Sequence, residues 1–397
     1  MTDRSAVACA PAVRRGPATA VVTGAAALSA YGHGTDALLS GVLSGRPAFA
    51  PVDRFDVTNR RSRTAAALPG SPSLHTELAR TVAEACDDAC LPAQSRARCP
   101  LFLAIHADPA LGRAAPADRS GLGADAFAAA VARGAGLTGT GLAETDVRCY
   151  TSACVAASTA VADAAAIIAR GRADRIVVAA GYLVESDQFA LFDAGRVLAD
   201  DGQVRPFSAG RRGLLLGDGI GAVVIESEAA ARARQAPVLA RIAGGGRSGD
   251  AYHPCQPHPQ GQGMARAIAA ALHRAGIAPG DLGYLNASGS GTRHSDPAEA
   301  SAIRLALGET AGTVPVSSTK SLHGQALEAA GLLELIVTLL ASRKGALPVN
   351  AGYLGSDDGC DGLSLVLGGA QPAAPRYSMS LNAAFGGANT ALVIGLP

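Results

Sequence analysis

Aromatic residues and charges are scarce in this sequence. Tryptophan is absent, aromatic residues make up 4% of the 397 residues, and charged residues make up 17%. The net charge of +1 gives no electrostatic reason to expect nucleic acid or an anionic membrane as a partner. No uncharged apolar run reaches the roughly 20 residues that a membrane-spanning helix needs. The composition is that of a globular protein with enough chain for two cores or one fused pair.

Paired cysteine motifs are absent as well. The eight cysteines show no C-x-x-C spacing, so we expect neither a zinc site nor a disulfide framework, and we predict no bound metal or cofactor. Free thiols are typical of a reducing cytoplasm. Residues 1–17 mix charges with alanines and lack the apolar core of a signal peptide. We therefore expect a flexible tail and a cytoplasmic protein.

Short apolar runs alternate with alanine-rich stretches along the rest of the chain. The runs are bounded by glycine or charge, as in strands that are covered on both faces of a sheet, and the stretches between them are long enough for helices. This alternation predicts an α/β fold. The predicted strands are residues 18–24, 101–105, 175–181, 221–225, 238–242, 283–286, 314–318 and 390–394, and the predicted helices include 154–171, 263–275 and 324–340.

The chain also divides near its middle. Residues 226–237 are charged and end in proline, which places a boundary between an N-terminal half, 18–233, and a C-terminal half, 234–397. A strand followed by a small-residue helix occurs in each half, at 154–171 and at 317–344. Two pseudo-equivalent halves of this kind would place loops from both around one site.

The most informative residues are 149–158, which end a predicted strand and open a helix of small residues. Cys154 lies at that junction. A cysteine at a helix N-terminus has free backbone N–H groups and the positive end of the helix dipole beside its sulfur, and both favour the reactive thiolate. We therefore predict that Cys154 is a nucleophile.

Several blocks of sequence, in order from residue 18 to residue 396, resemble one family. The chain is similar to the ketosynthases of the thiolase fold, the β-ketoacyl-ACP synthases of fatty-acid and polyketide synthesis. The matching blocks are Val21–Gly24, Thr151–Cys154, Pro206–Phe207 with Arg211, Gly217–Gly221, Gly289–Thr292 with Asp296 and Glu299, Ser318–Ser321, Ala329–Gly331, Asn382 and Phe385–Asn389. The resemblance implies a five-layered α-β-α-β-α fold of two pseudo-equivalent halves, a dimer, and an acyl carrier protein as partner.

The sequence departs from that family at two positions. Family members carry a histidine just before the first glycine-rich loop and another five residues after the motif lysine. Here those positions are Ser288 and, counted from Lys320, Gln325. A Cys-His-His set thus appears as Cys154, Ser288 and Gln325. Serine and glutamine can donate hydrogen bonds, but neither titrates near pH 7.

The resemblance assigns roles to the remaining site residues. Backbone N–H groups of Cys154 and Phe385 would form an oxyanion hole, and the Phe385 ring is either a gate or ordinary core. Lys320 and Glu299 would form a buried structural ion pair, and Asp296 would have a similar structural role. Acyl loading needs only the nucleophile and the oxyanion hole, whereas malonyl decarboxylation normally uses both imidazoles. We expect loading to be retained and decarboxylation to be weak or absent.

Three functions remain open at this point. The first is an acyltransferase of specialised metabolism that takes an acyl chain from acyl carrier protein onto Cys154, then transfers, condenses or cyclises it. The phosphopantetheine would arrive on the carrier, and the dimer partner would be a second copy or another ketosynthase. The second is a non-catalytic subunit, like a chain-length factor, paired with an active ketosynthase. The third is an ordinary decarboxylating synthase in which His323 or His294 replaces a missing imidazole.

Overall fold

A computed structural model describes residues 18–109, 122–137 and 147–397 of the chain. The expected tail, residues 1–17, lies outside the described residues. The helices are α1 (Thr35–Leu43), α2 (Leu74–Asp88), α3 (Ala93–Arg96), α4 (Ala124–Gly134), α5 (Ala156–Ala169), α6 (Ser186–Ala194), α7 (Glu228–Ala233), α8 (Gln262–Ala275), α9 (Ser295–Leu307), α10 (Lys320–His323) and α11 (Ala330–Lys344). Within the described ranges, no helix is long and apolar enough to cross a membrane.

Most strands join one extended sheet. The strands are β1 (Ala20–Ser29), β2 (Gly32–His33), β3 (Ala50–Pro51), β4 (Thr64–Ala65), β5 (Leu101–Ala104), β6 (Val147–Tyr150), β7 (Arg175–Tyr182), β8 (Gly219–Ser227), β9 (Ala240–Gly249), β10 (Leu282–Asn286), β11 (Pro315–Ser317), β12 (Ala346–Leu347), β13 (Ser364–Leu365), β14 (Gln371–Pro372), β15 (Tyr377–Ala384) and β16 (Ala388–Gly395). The main order is β13-β11-β10-β15-β16-β9-β1-β8-β7-β5-β6.

The two parts of this sheet repeat one pattern. In the first part β6, β5 and β7 run parallel, and β8 and β1 follow antiparallel. In the second part β11, β10 and β15 run parallel, and β16 and β9 follow antiparallel. The parts meet through two residue pairs between β1 and β9, Val21 with Arg241 and Val22 with Ala240. This repeat gives the fold its two pseudo-equivalent halves, while the boundary at 233/234 stays a prediction.

Five layers result from where the apolar side chains lie. One core lies between the first part of the sheet and α2 with α4, and another between the second part and α8 with α9. The central core contains α5 and α11, which are covered from both sides. The α/β thiolase-like fold expected from the sequence is therefore confirmed. Small residues let the central helices approach closely, because a Cβ at Gly331 of α11 would collide with the hydroxyl of Ser158 on α5.

One local feature differs from the sequence expectation, and a second adds to it. The helix predicted over residues 324–340 begins only at Ala330, because Gly324 adopts a φ of 77° after the short α10 and a 3₁₀ turn, Leu327–Ala329, precedes α11. The charged segment at the predicted boundary is also docked onto the fold. Glu226 is buried and pairs with Arg175 at 2.7 Å and with Arg234.

Candidate active site

Cys154 lies where the chain turns from a strand into a central helix. Strand β6 ends at Tyr150, a 3₁₀ turn covers Ala153–Val155, and α5 begins at Ala156. Ala153, just before the cysteine, has a φ of 52°, a conformation that costs a non-glycine residue about 1–3 kcal/mol. Such strain persists where the surrounding structure holds it, and it is enriched at active sites. The turn presents the half-buried Cys154 side chain to a cavity.

The cavity brings together side chains from both halves of the chain. Its volume is about 130 Å³, close to that of an engineered cavity that holds one benzene molecule. The cavity lining includes the sequence-predicted residues Cys154, Ser288, Glu299, Gln325 and Phe385. The two halves thus share one site around the cysteine.

The thiol of Cys154 does not have the low pKa expected from its place at a helix start. Burial raises the pKa of Cys154 to about 12, and the negative charge of Glu328 acts in the same direction. The charge of Lys320 opposes this, but it acts less strongly. The sequence expectation of a favoured thiolate is therefore wrong for this structure, because desolvation outweighs the helix terminus. Near pH 7 the residue is a thiol that needs a proton acceptor in order to react.

Ser288 is held by a buried carboxylate beneath its loop. Its backbone N–H and that of Gly289 each donate to Glu299, at 2.7 Å. Its hydroxyl oxygen accepts a 3.3 Å bond from the N–H of Ala383. Asp296 holds the same loop by accepting from Gly291 and Phe207 at 3.0 and 2.8 Å. Glu299 and Asp296 therefore shape the loop that presents Ser288.

Burial governs the titration of both loop-shaping acids. It raises the pKa of Glu299 to about 7 and that of Asp296 to about 6. The backbone N–H groups that each acid binds act in the opposite direction, because they stabilise the charged form. The ionisation of each acid therefore depends on the backbone N–H groups that the intact loop supplies.

Gln325 is fixed by its backbone. Its N–H donates to Leu215 at 2.8 Å, and its carbonyl accepts from Gly217 at 3.0 Å. Its side-chain Oε1 is buried without a hydrogen-bond partner among the described residues. A buried carbonyl oxygen without a partner costs free energy, so the amide is suited to bind a donor that enters the cavity.

Lys320 does not pair with Glu299, contrary to the sequence expectation. Its ammonium instead forms a buried ion pair with Glu334 of α11. Glu334 also accepts a 2.6 Å bond from Asn382, whose side-chain oxygen accepts a 2.7 Å bond from Ser158 of α5. Glu299 accepts hydrogen bonds from backbone N–H groups instead. Glu334 lies one turn into α11, the helix that follows the lysine loop in the chain. Lys320 therefore ties that loop to both central helices and does not line the cavity.

The two histidines considered as replacements for the missing imidazoles differ in their access to the cavity. His323 is fully buried, its Nε2 lies 3.0 Å from the hydroxyl of Thr319, and burial lowers its pKa to about 3. It is not part of the cavity lining. His294, at the start of α9, does line the cavity, and so does His258. Of the two substitutes weighed from the sequence, only His294 has access to the site.

Phe385 is not ordinary core. Its side chain is 46% exposed, lines the cavity and packs on Phe192 with ring centroids 5.9 Å apart. It lies in the tight turn between β15 and β16, where the N–H of Gly386 donates to Pro254 at 2.7 Å. The ring therefore stands at the rim of the cavity, a position suited to a gate. The oxyanion hole at Cys154 and Phe385 stays a prediction.

Two family models match the chain. "Beta-ketoacyl synthase, N-terminal domain" matches residues 113–231, and "Beta-ketoacyl synthase, C-terminal domain" matches residues 239–353. Together they cover more than half of the chain and include Cys154, Ser288 and Gln325. The chain belongs to the β-ketoacyl synthase family. The resemblance inferred from the sequence is confirmed.

Individual relatives agree with this assignment. A 3-oxoacyl-[acyl-carrier-protein] synthase 2 of Staphylococcus aureus is 38% identical over 247 residues, and nodulation protein E of Rhizobium meliloti is 40% identical over 244 residues. The first match covers 61% of this chain and 61% of that protein, so the chain matches about three fifths of the length of its curated relative.

Solved structures match over nearly the whole chain. The structure described as the ishigamide ketosynthase/chain length factor covers 96% of this chain and 100% of its own, at 27% identity and a TM-score of 0.86. A β-ketoacyl synthase from Burkholderia phymatum STM815 covers the same shares at 26% identity and a TM-score of 0.85.

The sequence alone did not identify one charged residue near the cysteine of this ketosynthase-family chain. Glu328 is buried in the 3₁₀ turn before α11, and its Oε1 lies 3.0 Å from Nδ1 of the exposed His106. This hydrogen bond raises the pKa of His106, although partial burial of the imidazole opposes it. The sequence does carry a signal, because Glu328 is the one charge in the small apolar run from Ala326 to Gly331.

Proposed function

We propose that this chain takes an acyl group from an acyl carrier protein onto Cys154 and then transfers, condenses or cyclises it, with weak or no malonyl decarboxylation. The observation that carries the proposal is the lining of the cavity. Cys154 faces the same space as Ser288 and Gln325, which occupy the two histidine positions of the family motif. The site therefore keeps a nucleophile and lacks an imidazole at both motif positions.

Acyl loading has a nucleophile and backbone donors for its oxyanion. The sulfur attacks the thioester carbonyl, and backbone N–H groups of Cys154 and Phe385 stabilise the oxyanion. The phosphopantetheine is part of the incoming carrier, so the chain supplies no cofactor of its own. A cavity of about 130 Å³ accepts a short acyl group as it stands. A longer chain requires movement at the rim, where the Phe385 ring is half exposed.

Decarboxylation lacks its usual donors. The enolate that forms on loss of CO₂ needs hydrogen bonds to the malonyl thioester carbonyl, and removal of one such donor costs on the order of 10²–10³ in rate. The hydroxyl of Ser288 and the amide of Gln325 are neutral donors. They are weaker than charge-assisted ones, and neither can take up or release a proton near pH 7. The acyl group on Cys154 therefore meets a weakened decarboxylation site.

A second candidate is a non-catalytic subunit paired with an active ketosynthase. It is favoured by the loss of both imidazoles and by the 27% identity to a structure described as a ketosynthase/chain length factor. Cys154 argues against it, because a subunit that only shapes a partner's tunnel needs neither a thiol facing a cavity nor the strained turn at Ala153.

Intact mass spectrometry tests the proposal. The purified chain is incubated with an acyl-carrier thioester, beside a Cys154→Ala variant. We expect the mass of one acyl group on the wild type and none on the variant. Absence of an adduct on both, together with co-purification of another ketosynthase, would overturn the proposal and favour the paired subunit.

A further inference from the structure

The substituted site leaves one question of chemistry open, which is what accepts the proton of the Cys154 thiol. The cysteine is a thiol near pH 7, and Ser288 and Gln325 are not bases. Three charged groups act on the cysteine, namely Glu328, Lys320 and Glu334. Lys320 and Glu334 are bound to each other, and Glu334 also binds Asn382. Among these three charged groups, Glu328 is the remaining candidate.

Glu328 is buried in a turn that packs on the turn of the cysteine. Its side chain is 4% exposed, and its Oε2 makes no hydrogen bond within the described part of the chain. Its 3₁₀ turn, Leu327–Ala329, packs directly on the 3₁₀ turn Ala153–Val155 that carries the cysteine. Leu327, just before the glutamate, has a φ of 41°, so a strained residue precedes each of the two groups. A buried carboxylate oxygen without a partner is costly to keep, which calls for a function.

His106 connects Glu328 to the protein surface. It binds Oε1 of Glu328 through Nδ1, while its own side chain is 58% exposed. Asp187 of α6 also acts on the imidazole. Glu328 thus binds a solvent-accessible imidazole, and its turn packs on the turn of the half-buried cysteine.

We propose that Glu328 is the general base and acid for acyl transfer at Cys154, with His106 as the residue that orients its carboxylate. This inference rests on the proposed function. As Sγ of Cys154 bonds to the thioester carbon, its proton passes to Oε2 of Glu328, directly or through one water. Collapse of the adduct breaks the bond from that carbon to the carrier sulfur. Glu328 returns the proton to that sulfur and is again a carboxylate, so the step needs no oxidant or reductant.

Two reactions of Cys154 respond to Glu328 in opposite ways. Alkylation by iodoacetamide uses the fraction of Cys154 that is ionised at the working pH. That fraction rises when a nearby negative charge is removed. Acyl transfer with a poor thiol nucleophile depends on the base itself, whose contribution is typically 10²–10⁴-fold. A merely structural role for Glu328 would move both rates in the same direction.

The test uses the full chain and its Glu328→Gln variant, with acetyl-pantetheine thioester and iodoacetamide as probes. We expect acyl transfer to fall by about 10²–10⁴-fold, while alkylation at pH 7 rises about tenfold. Glu328→Asp keeps a carboxylate and should retain part of the acyl transfer. Glu84→Gln removes an exposed negative charge from α2, where Glu84 pairs with Arg80, and should leave acyl transfer within twofold of the wild type.

The outcomes separate the two proposals. Acyl transfer that is equal in wild type and Glu328→Gln overturns the role of Glu328 and leaves acyl loading intact. Acyl transfer and alkylation that fall together also overturn it, since that result indicates structural damage. A wild type that is alkylated but never acylated overturns the proposed function, and the role of Glu328 with it.

Discussion

Lys320 and Glu334 form an ion pair in the interior of the protein, where each side chain is at most 2% exposed. The pair lies behind the cavity and connects the loop that carries Gln325 to α11. Through Asn382 and Ser158 the same network reaches α5, which follows the cysteine. The two central helices are therefore joined by polar contacts as well as by apolar packing.

Breaking this pair should destabilise the protein. Glu334→Gln leaves the Lys320 ammonium buried without a counter-charge, and we expect the free energy of unfolding in urea to fall by about 3–5 kcal/mol. Glu84→Gln, which breaks an exposed pair with Arg80, is the matched control and should cost less than about 1 kcal/mol. Similar losses in both variants would contradict a special role for the buried pair.

Close contact between the central helices gives a second prediction. Gly331→Ala places a Cβ against the hydroxyl of Ser158, and overpacking of this kind costs about 1–3 kcal/mol. A second change, Ser158→Gly, removes the hydroxyl and should restore part of the lost stability. Gly280→Ala meets no atom within 4 Å and is the control, expected within about 0.5 kcal/mol of the wild type. Thermal or urea unfolding measures all three.

His323 should make the protein sensitive to acid. Burial holds its pKa at about 3 in the folded chain, against an ordinary value of 6.5. Between these values the unfolded chain binds a proton that the folded chain does not, so stability rises with pH across that window. The contribution approaches about 1.4 kcal/mol per pH unit.

His323→Gln removes this titration while retaining a donor toward Thr319. Urea unfolding of wild type and variant at pH 5 and pH 7 should show a smaller pH effect in the variant. Equal pH effects in the two proteins would show that His323 is not the group responsible.

Restoring the two imidazoles should restore malonyl decarboxylation. In the Ser288→His, Gln325→His double variant, two imidazoles stand where the family has them, and we expect CO₂ release from malonyl-pantetheine to rise by at least 10². Each single variant should gain less, because the two donors act on one carbonyl. If the wild type already releases CO₂ at the rate of the double variant, the neutral donors suffice, and an ordinary decarboxylating synthase is the better description.

The sequence predicts some parts of this protein well for physical reasons. Buried strands such as β7 and β8 are short apolar runs between charges or glycines, a local pattern that needs no tertiary information. The nucleophile position is equally local, because it depends on a strand, a turn and a small-residue helix in one segment.

Other features depend on contacts between distant segments. The partner of Lys320 is set by which of two acids faces it, and Glu299 is turned toward backbone N–H groups instead. The pKa of Cys154 depends on how far the fold desolvates it, which no helix-terminus argument contains. The role proposed for Glu328 depends on its contact with His106, more than 200 positions away in the chain. These are the points at which sequence reasoning was wrong or silent.

The central claim is that Cys154 is acylated and that the acyl group then meets a site with weak decarboxylation. One time course of intact mass tests both parts. The chain is loaded from an acyl-carrier thioester, and malonyl-carrier thioester is then added while CO₂ is collected. We predict an acyl adduct on Cys154 that persists, with little CO₂. Failure of the adduct to form, or its rapid loss with stoichiometric CO₂, would contradict the account.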